Sequence, residues 1–229
     1  MLAFCTRLLC CAAATLALAG CAATNAAMGG NTPKLAQAEA RWDYTADGIV
    51  LDVSADAALN FYAGQSHTVL LGVYQVAEAS SFRQLMADPA ATAGTLDSGA
   101  AGDGVLSFAR YVIAPGTRTI IKLDRAQHAK FIGIGAGYYG LDGDGAMRLF
   151  EVPLAMSSRG WVSTTYSAAP SALMLQLRLG AARIVNATQM PLGPEQQRLL
   201  EAAAGVQRAP LRLPAPDAAP ALPVPTLSR

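Results

Sequence analysis

The hydrophobic positions of the chain follow a period of two over much of its length, which is typical of β-strands with one buried face. Ile49, Leu51 and Val53 alternate with smaller or polar neighbours. Residues 68–76 form an almost wholly apolar run rich in β-branched side chains, which predicts a central strand buried on both faces. Residues 172–179 carry a leucine at every second position and predict a further strand.

The most distinctive strand is predicted at residues 130–139, where Gly133, Gly135 and Gly137 fall on one face. Three glycines on one side leave room for a neighbouring element to approach closely. A turn rich in glycine and aspartate follows, and residues 147–154 return as the hairpin partner. Two weaker strands are indicated earlier in the chain, on either side of an Ala-Pro-Gly turn signal at residue 115.

Helical signals are few. Residues 80–86 predict one or two helical turns with a serine cap, and residues 90–104 are small and polar, which indicates a loop. A second short helix is predicted at residues 194–204, because a proline stands near its first turn and a glycine follows its end. Seven or so short strands without βαβ alternation predict an all-β fold, a two-sheet β-sandwich with one or two short helices.

The first 20 residues predict a lipoprotein signal peptide. Their apolar run closes on Leu18-Ala19-Gly20-Cys21, which is typical of a lipobox, the site where lipid is attached to the cysteine. Residues 8–19 are too few to span a membrane, since a spanning helix takes about 20 apolar residues. A plain signal peptide remains the alternative, because residues 17–19 also resemble a small-x-small cleavage site. Ala22, in place of an aspartate, predicts delivery to the outer membrane.

The rest of the chain is expected to fall into three parts. Residues 21–40 are rich in small and polar residues and predict a flexible tether, although a helix over residues 34–41 is also compatible with their sequence. Residues 41–192 hold the strand pattern and form the β-sandwich domain. Residues 193–229 comprise the second short helix and a proline-rich tail, which we expect to be extended and solvated.

Charge and cysteine content narrow the possible functions. The chain has 17 basic and 16 acidic side chains, a balance that gives no electrostatic footprint for nucleic acid. Its four cysteines are Cys5, Cys10, Cys11 and Cys21, so three would leave with the signal peptide and the fourth would be acylated. The mature chain would then have neither a free thiol nor a disulfide, which suits an oxidising compartment.

Two motifs resemble ligand sites. Residues 135–140 match a dinucleotide-binding fingerprint in letters, but those glycines lie in a strand and precede a turn, whereas the fingerprint needs a helix there. Asp142 and Asp144 lack the further oxygen ligands and the terminal glutamate of a calcium-binding loop. We therefore expect no cofactor.

The titratable residues do not form a recognisable reaction centre either. The two histidines are His67 and His128, and without a mature cysteine a zinc site would need carboxylates to complete it. Ser66 stands beside His67, but the Gly-x-Ser-x-Gly pattern of a nucleophile elbow is broken at Thr68. We expect no metal site and no catalytic residue.

The loop at residues 59–67 is the best candidate for binding. It joins two predicted strands and carries Phe61 and Tyr62 among polar neighbours. Loops on a rigid scaffold tend to carry function, and exposed aromatic residues are frequent interface anchors. The alternative is that the two rings cap the core at the end of the sandwich, and the composition alone favours neither interpretation.

These features together resemble the outer-membrane lipoprotein of the type VI secretion system, the TssJ (SciN) family. The resemblance covers roughly residues 48–154 in addition to the lipobox. The residues that carry it are Leu18 to Cys21, Leu59-Asn60 with Gly64, Val73-Tyr74-Gln75-Val76, Ser81-Phe82, Ala114-Pro115-Gly116, Ile132-Gly133-Ile134-Gly135-Ala136, Tyr138 and Tyr139.

The resemblance implies a transthyretin-like sandwich without enzymatic activity, on the periplasmic face of the outer membrane. It also implies docking onto the periplasmic C-terminal domain of the inner-membrane protein TssM, through the loop between the first two strands. In this sequence the expected partner-binding residues are Asn60, Phe61, Tyr62, Gly64, Gln65, Ser66 and His67. The alternative function is a periplasmic lipoprotein that binds a small molecule or glycan on the sandwich face, where the glycines of residues 130–139 could form the floor of a groove.

Overall fold

The computed structural model describes residues 24–140, 143–190, 198 and 210–215. The strands within these ranges are β1 (Thr45–Ala55), β2 (Val69–Val76), β3 (Val105–Ile113), β4 (Arg118–Arg125), β5 (Phe131–Ala136), β6 (Met147–Glu151), β7 (Leu154–Arg159), β8 (Thr165–Pro170), β9 (Leu173–Leu179), β10 (Ile184–Met190) and β11 (Leu211–Leu213). The labelled helices are α1 (Pro33–Ala38), α2 (Ala79–Met86), α3 (Pro89–Ser98) and α4 (Gly143–Ala146).

Several predictions concern residues outside the described ranges. They are the signal peptide at residues 1–20, the acylated Cys21, and most of the helix at residues 194–204, of which Arg198 alone is described and is helical. Among the described residues, no helix is both long enough and apolar enough to cross a membrane. By its internal contacts the chain divides into two compact units, one formed by Met1–Arg41 with Pro153–Ser171 and the other by Trp42–Val152 with Ala172–Arg229.

The larger unit contains a four-stranded and a five-stranded sheet. The strand order is β10-β9-β1-β4 in the first sheet and β11-β3-β2-β5-β6 in the second. β1 runs antiparallel to β4 and parallel to β9, whereas β2 runs antiparallel to both β3 and β5. Side chains of both sheets form one hydrophobic cluster. The predicted all-β, two-sheet sandwich is therefore confirmed.

The period-two positions face this core as predicted. Ile49, Leu51 and Val53 are fully buried, and so are the four leucines of β9. β2 lies between two strands of its sheet, and apart from the half-buried Leu70 all its residues are buried. Burying one such aliphatic side chain contributes about 1.5–3 kcal/mol relative to leaving it exposed.

The second face of β1 is also covered, which its alternating sequence did not predict. Val50 and Met174 are 4% and 5% exposed and pack together on this face. Asp52 is buried as well, and its carboxylate accepts two hydrogen bonds from the guanidinium of Arg118, at 2.9 and 2.7 Å. Long side chains from the adjacent strands cover this face, so the polar positions of β1 are not simply solvated.

Of the three glycines predicted on one face, Gly133 and Gly135 lie in β5 and have very close neighbours, whereas Gly137 follows the strand directly. A Cβ atom on Gly133 would lie 2.2 Å from the ring of Phe82 in α2, and one on Gly135 would lie 2.8 Å from the sulfur of Met147. A Cβ on Gly137 would meet its nearest neighbour at 3.5 Å, an ordinary contact. Because the chain's own side chains fill the space over these glycines, they do not form the floor of the groove on which the small-molecule or glycan alternative was argued.

Two helices connect β2 to β3, where one helix and a loop were predicted. α2 agrees in position, but the predicted serine cap is wrong, because Glu78 occupies the cap position and makes no side-chain capping bond. α3 replaces the first part of the loop predicted at residues 90–104, whereas residues 99–104 lie outside helices and strands as predicted. Its cap is Asp88, which accepts two backbone N–H bonds, Pro89 opens the helix, and Gly99 ends it in a left-handed conformation with a φ of 81°.

The smaller unit pairs the β7–β8 hairpin with the segment that follows residue 23. Residues 24–27 form a helical turn, and α1 corresponds to the helix that the sequence left open as an alternative at residues 34–41. Asn31 donates its side-chain amide to the carbonyl oxygen of Tyr166 at 2.9 Å and accepts the amide N–H of Tyr166 at 2.6 Å. The tether function of residues 21–40 stays a prediction.

Part of the predicted solvated tail joins the five-stranded sheet. β11 is extended and largely exposed, as expected, but it pairs with β3, with Leu211 opposite Val112. Arg110 of β3 is 8% exposed and donates to the carbonyl oxygens of Leu96, at 2.8 Å, and Pro214, at 3.3 Å. β11 therefore covers an edge whose backbone groups would otherwise be unpaired.

Candidate functional site

Three connections of the larger unit meet at one end of the sandwich: the loop between β1 and β2, the segment after β5, and the turn between β9 and β10. The backbone N–H of Phe61 donates to the carbonyl oxygen of Ala181 at 2.8 Å, and that of Asn60 donates to Gly180 at 3.4 Å. The side-chain oxygen of Asn60 accepts the backbone N–H of Tyr139 at 2.9 Å. The loop predicted as the binding site is thus fastened to both neighbouring connections.

The base of this loop is buried. Leu59 is fully buried in the core, and its carbonyl oxygen accepts the backbone N–H of His67 at 3.0 Å. Asn60 is 5% exposed, and its amide donates to the carbonyl oxygen of Thr68 at 3.0 Å. Asn60 was predicted as a partner contact; the structure places its side chain beneath the loop, where it supports the residues that are exposed.

The tip of the loop is a tight two-residue turn. Tyr62 and Gln65 exchange two backbone hydrogen bonds, at 2.9 and 3.0 Å. The two residues between them, Ala63 and Gly64, have φ angles of 50° and 81°. Positive φ at both central positions is what a type I′ hairpin turn requires. Glycine adopts this conformation freely, whereas an alanine there costs about 1–2 kcal/mol, so the surrounding bonds must hold the turn in place.

Four side chains on and beside this loop form an exposed aromatic surface, which we define as Phe61, Tyr62, His67 and Tyr139. The rings of Tyr62 and Tyr139 are stacked, with centroids 4.6 Å apart and an interplanar angle of 18°. His67 meets Tyr139 edge-on at 5.1 Å. Phe61, Tyr62 and Tyr139 are 53%, 57% and 60% exposed. Neither Phe61 nor Tyr62 caps the core, because more than half of each residue is accessible to solvent.

Sequence reasoning missed Tyr139 as a site residue. β5 runs antiparallel to β2, so the segment that leaves β5 reaches the same end of the sandwich as the loop that enters β2. Tyr138 and Tyr139 then point to opposite sides: Tyr138 is buried, and burial raises the pKa of its hydroxyl, while Tyr139 is exposed. The signal in the sequence that could have identified Tyr139 is the pair of adjacent tyrosines at the end of a predicted strand.

Two further predicted site residues, Gln65 and Ser66, are exposed and form a polar rim beside the aromatic surface. His67 is the one half-buried member of the aromatic surface. The Nε2 atom of His67 lies 3.3 Å from the carbonyl oxygen of Tyr62, where its N–H donates to the turn. In the described part of the chain, no three His, Cys, Asp or Glu side chains are grouped closely enough to hold a metal ion. This geometry is suited to binding another surface by apolar contact.

Solved structures from the type VI secretion system resemble this chain at low sequence identity. The T6SS lipoprotein TssJ1 from Pseudomonas aeruginosa is 21% identical, with a TM-score of 0.43 over 66% of this chain and 98% of that chain. Serratia marcescens Lip, a membrane-bound component of the type VI secretion system, is 17% identical, with a TM-score of 0.42 over 63% of this chain and 98% of that chain. A structure described as the TssM C-terminal domain from EAEC contains a chain that is 19% identical, with a TM-score of 0.44 over 63% of this chain and 98% of that chain. No curated protein matches the sequence significantly.

A family model gives the decisive match. The model of the type VI secretion lipoproteins (T6SS-SciN; VasD, EvfM, TssJ) matches residues 47–182, which is more than half of the 229 residues. The matched region extends from within β1 to the turn before β10 and includes the whole loop at residues 59–67 as well as Tyr139. This chain therefore belongs to the type VI secretion lipoprotein family.

Proposed function

We propose that this protein is the outer-membrane lipoprotein of a type VI secretion membrane complex and that it acts purely by binding. Acylated Cys21 holds it to the periplasmic face of the outer membrane. The aromatic surface docks onto the periplasmic C-terminal domain of a TssM-like inner-membrane protein. The observation that carries the docking assignment is the group of large, exposed rings fixed over a buried loop base.

The physical case for docking is preorganisation. The turn at Ala63 and Gly64 is closed by two backbone bonds, and the stacked rings of Tyr62 and Tyr139 restrict each other. A partner would therefore order little of this surface on binding, which lowers the entropic cost of association. Aromatic side chains at the centre of an interface commonly cost about 2 kcal/mol or more in binding free energy when truncated.

Confinement to the membrane strengthens such an interaction. A lipoprotein held to the outer membrane meets a partner that crosses the periplasm at a raised effective concentration. A binding surface of only a few rings with a rim of Gln65 and Ser66 is then sufficient. The lipid anchor keeps the protein near its partner without using any of these contacts.

The docking proposal predicts a large loss of affinity when the loop rings are removed. Replacing Phe61 and Tyr62 together by alanine should weaken binding of the purified periplasmic domain of the TssM-like protein by about 30-fold or more, corresponding to about 2 kcal/mol. Titration calorimetry measures the affinity. The matched control is Leu106→Ala on β3, which removes an exposed apolar side chain away from the aromatic surface and should bind normally. An unchanged affinity of the folded double variant would refute the assignment.

The anchoring proposal predicts that Cys21→Ser releases the protein from the membrane. Without a diacyl or triacyl cysteine, nothing supplies the two or more chains that stable anchoring requires. The variant should move from the carbonate-washed membrane pellet to the soluble periplasmic fraction. Cys11→Ser changes a cysteine inside the predicted signal peptide and should leave the protein in the pellet. If the Cys21→Ser protein also stays in the pellet, Cys21 is not the anchor.

A further inference from the structure

The β7–β8 hairpin of the smaller unit ends in an apolar tip. Trp161 is fully exposed, and Val162 is 81% exposed. They are the two most exposed large hydrophobic side chains in the described part of the chain, and they are adjacent in sequence. Exposed apolar groups of this kind mark protein or membrane contacts. The proposed docking through the aromatic surface does not involve this tip.

The N-terminal segment is fastened beside the same tip. Asn25 accepts the backbone N–H of Thr164 at 2.6 Å and donates to the carbonyl oxygen of Thr164 at 2.9 Å. The backbone N–H of Asn31 donates to the same carbonyl oxygen at 3.3 Å. Thr164 is three residues from Trp161 in the turn between β7 and β8. Asn25 and Asn31 therefore hold the N-terminal segment to the hairpin turn by three hydrogen bonds.

Covalent geometry limits how far Cys21 is from this point. Asn25 is the fourth residue after Cys21, and a fully extended chain spans at most about 3.6 Å per residue, so the two Cα atoms lie within about 14 Å of each other. The acylation of Cys21 belongs to the proposed function, and the present inference rests on it. With acyl chains at Cys21, the hairpin tip is held within a short reach of the lipid surface.

The chemistry of the hairpin matches a membrane interface. Tryptophan is enriched at the boundary between lipid and water, where its ring is apolar and its N–H remains hydrated. The hairpin also carries an open pocket of about 700 Å³, which is lined by serine and threonine hydroxyls and by Arg159. Hydroxyl groups hydrogen-bond to lipid headgroups, and an arginine beside a membrane is attracted to anionic lipids.

We propose that Trp161 and Val162 insert into the interface of the periplasmic leaflet of the outer membrane, next to the acylated cysteine. The hairpin then provides a second contact with the membrane. A single lipid anchor leaves the attached unit free to tilt, whereas an anchor and an inserted tip together restrict its orientation at the surface.

Tryptophan fluorescence of the acylated chain tests this directly. The full mature protein is reconstituted in vesicles of phosphatidylethanolamine and phosphatidylglycerol at a ratio of about 3:1, a composition with an anionic surface. The chain has two tryptophans, and the other one, Trp42, is half-buried beneath the guanidinium of Arg125 at 5.6 Å. The difference between the wild type and Trp161→Phe therefore isolates the emission of Trp161. We expect that emission to shift to shorter wavelength, to be quenched by lipids brominated along their acyl chains, and to resist quenching by acrylamide.

The possible outcomes separate the inference from the proposed function. If the protein floats with the vesicles but Trp161 emits as in water and acrylamide reaches it fully, the insertion is refuted while the lipid anchor stands. If Trp161 becomes shielded only after the TssM-like domain is added, the tip contacts protein and the membrane assignment is wrong. A chain that lacks the acyl mass and does not float refutes the anchor and, with it, this inference. The Cys21→Ser chain in buffer supplies the reference spectrum.

Discussion

Replacing Gly133 by alanine is expected to destabilise the sandwich by about 2–4 kcal/mol, which is in the range of a severe overpacking substitution. The added Cβ would lie 2.2 Å from one ring carbon of Phe82, and 2.4 and 2.5 Å from two others. Non-bonded carbon atoms do not approach this closely, so the ring or the helix that carries it must move. The cost follows from what holds that ring in place.

Phe82 has little freedom to retreat. It is fully buried, and its ring lies 5.4 Å from that of Tyr74, which is also fully buried. Tyr74 in turn stacks on Phe108 at 4.3 Å. Because protein interiors are close-packed, a shift of Phe82 must be transmitted through these rings or must lift α2 from the sheet.

Gly137→Ala is the matched control, since it makes the same chemical change one residue after the end of the same strand. The new Cβ would have ordinary contacts at 3.5–3.7 Å. The change also reduces the conformational entropy of the unfolded chain, which stabilises a protein by about 0.4–1 kcal/mol where the backbone permits it. We therefore expect Gly137→Ala to leave the free energy of unfolding nearly unchanged or slightly raised.

Urea denaturation of the two variants measures the difference. A second test replaces Phe82 by leucine, which frees volume over Gly133; in that background the cost of Gly133→Ala should fall, because neighbouring substitutions couple. If Gly133→Ala and Gly137→Ala unfold at the same urea concentration, the close packing of Phe82 on Gly133 is not a feature of the folded protein.

These glycines also show what the sequence could predict. Three glycines on one face of a strand with isoleucines on the other already indicated a close neighbour, although not that the neighbour is a ring of α2. The alternate leucines of β9 and the alternate residues Ile49, Leu51 and Val53 lie in the core as predicted, because a period of two fixes which face is buried as soon as a strand is recognised.

Elements built from small or polar residues were not predicted. α3 consists largely of alanine, threonine and glycine, so no apolar stripe reveals it, although Asp88, Pro89 and Gly99 mark its two ends. β7 is almost wholly exposed and β8 is half-buried at every second residue, but neither strand has a fully buried residue, and their partners are each other and the segment near Asn31. Hydrophobic periodicity detects only elements that bury one face.

The candidate site was partly predictable for a related reason. Phe61 and Tyr62 are aromatic residues in a polar loop, which is a local signal. Tyr139 joins them only because β5 and β2 are antiparallel neighbours, and strand order is not encoded locally. The burial of Asn60 likewise follows from three chain segments that are distant in sequence and meet at one place.

Asn60 gives the second large prediction, because one side chain joins the loop to its surroundings. Its amide donates to Thr68 at 3.0 Å and its side-chain oxygen accepts from Tyr139 at 2.9 Å, while its backbone has a φ of 47°. Each lost hydrogen bond costs about 1 kcal/mol, with more if a buried group is left unpaired. Placing alanine in a left-handed conformation costs about 1–2 kcal/mol. Asn60→Ala should therefore destabilise the protein by about 3 kcal/mol.

Asn60→Gly separates the two causes. Glycine accepts the positive φ without strain but makes no side-chain bond, so it should recover about 1 kcal/mol of the loss and no more. Urea denaturation of the two variants measures this difference. If Asn60→Gly is as stable as the wild type, the hydrogen bonds to Thr68 and Tyr139 contribute nothing to stability.

Loss of the Asn60 side chain should weaken partner binding as well as stability. Without Asn60 the backbone of Tyr139 loses its bond to the loop, and the stacked pair of Tyr62 and Tyr139 is no longer held from below. Both variants should then bind the TssM-like domain more weakly, under conditions where each is still folded, although every ring of the aromatic surface is retained. Because Asn60 is 5% exposed, its side chain offers a partner almost no surface to touch, and weaker binding would reflect the loosened rings. Wild-type affinity in a folded Asn60→Gly chain would mean that the rings bind the partner without being preorganised. Their exposure to solvent would then be sufficient for binding.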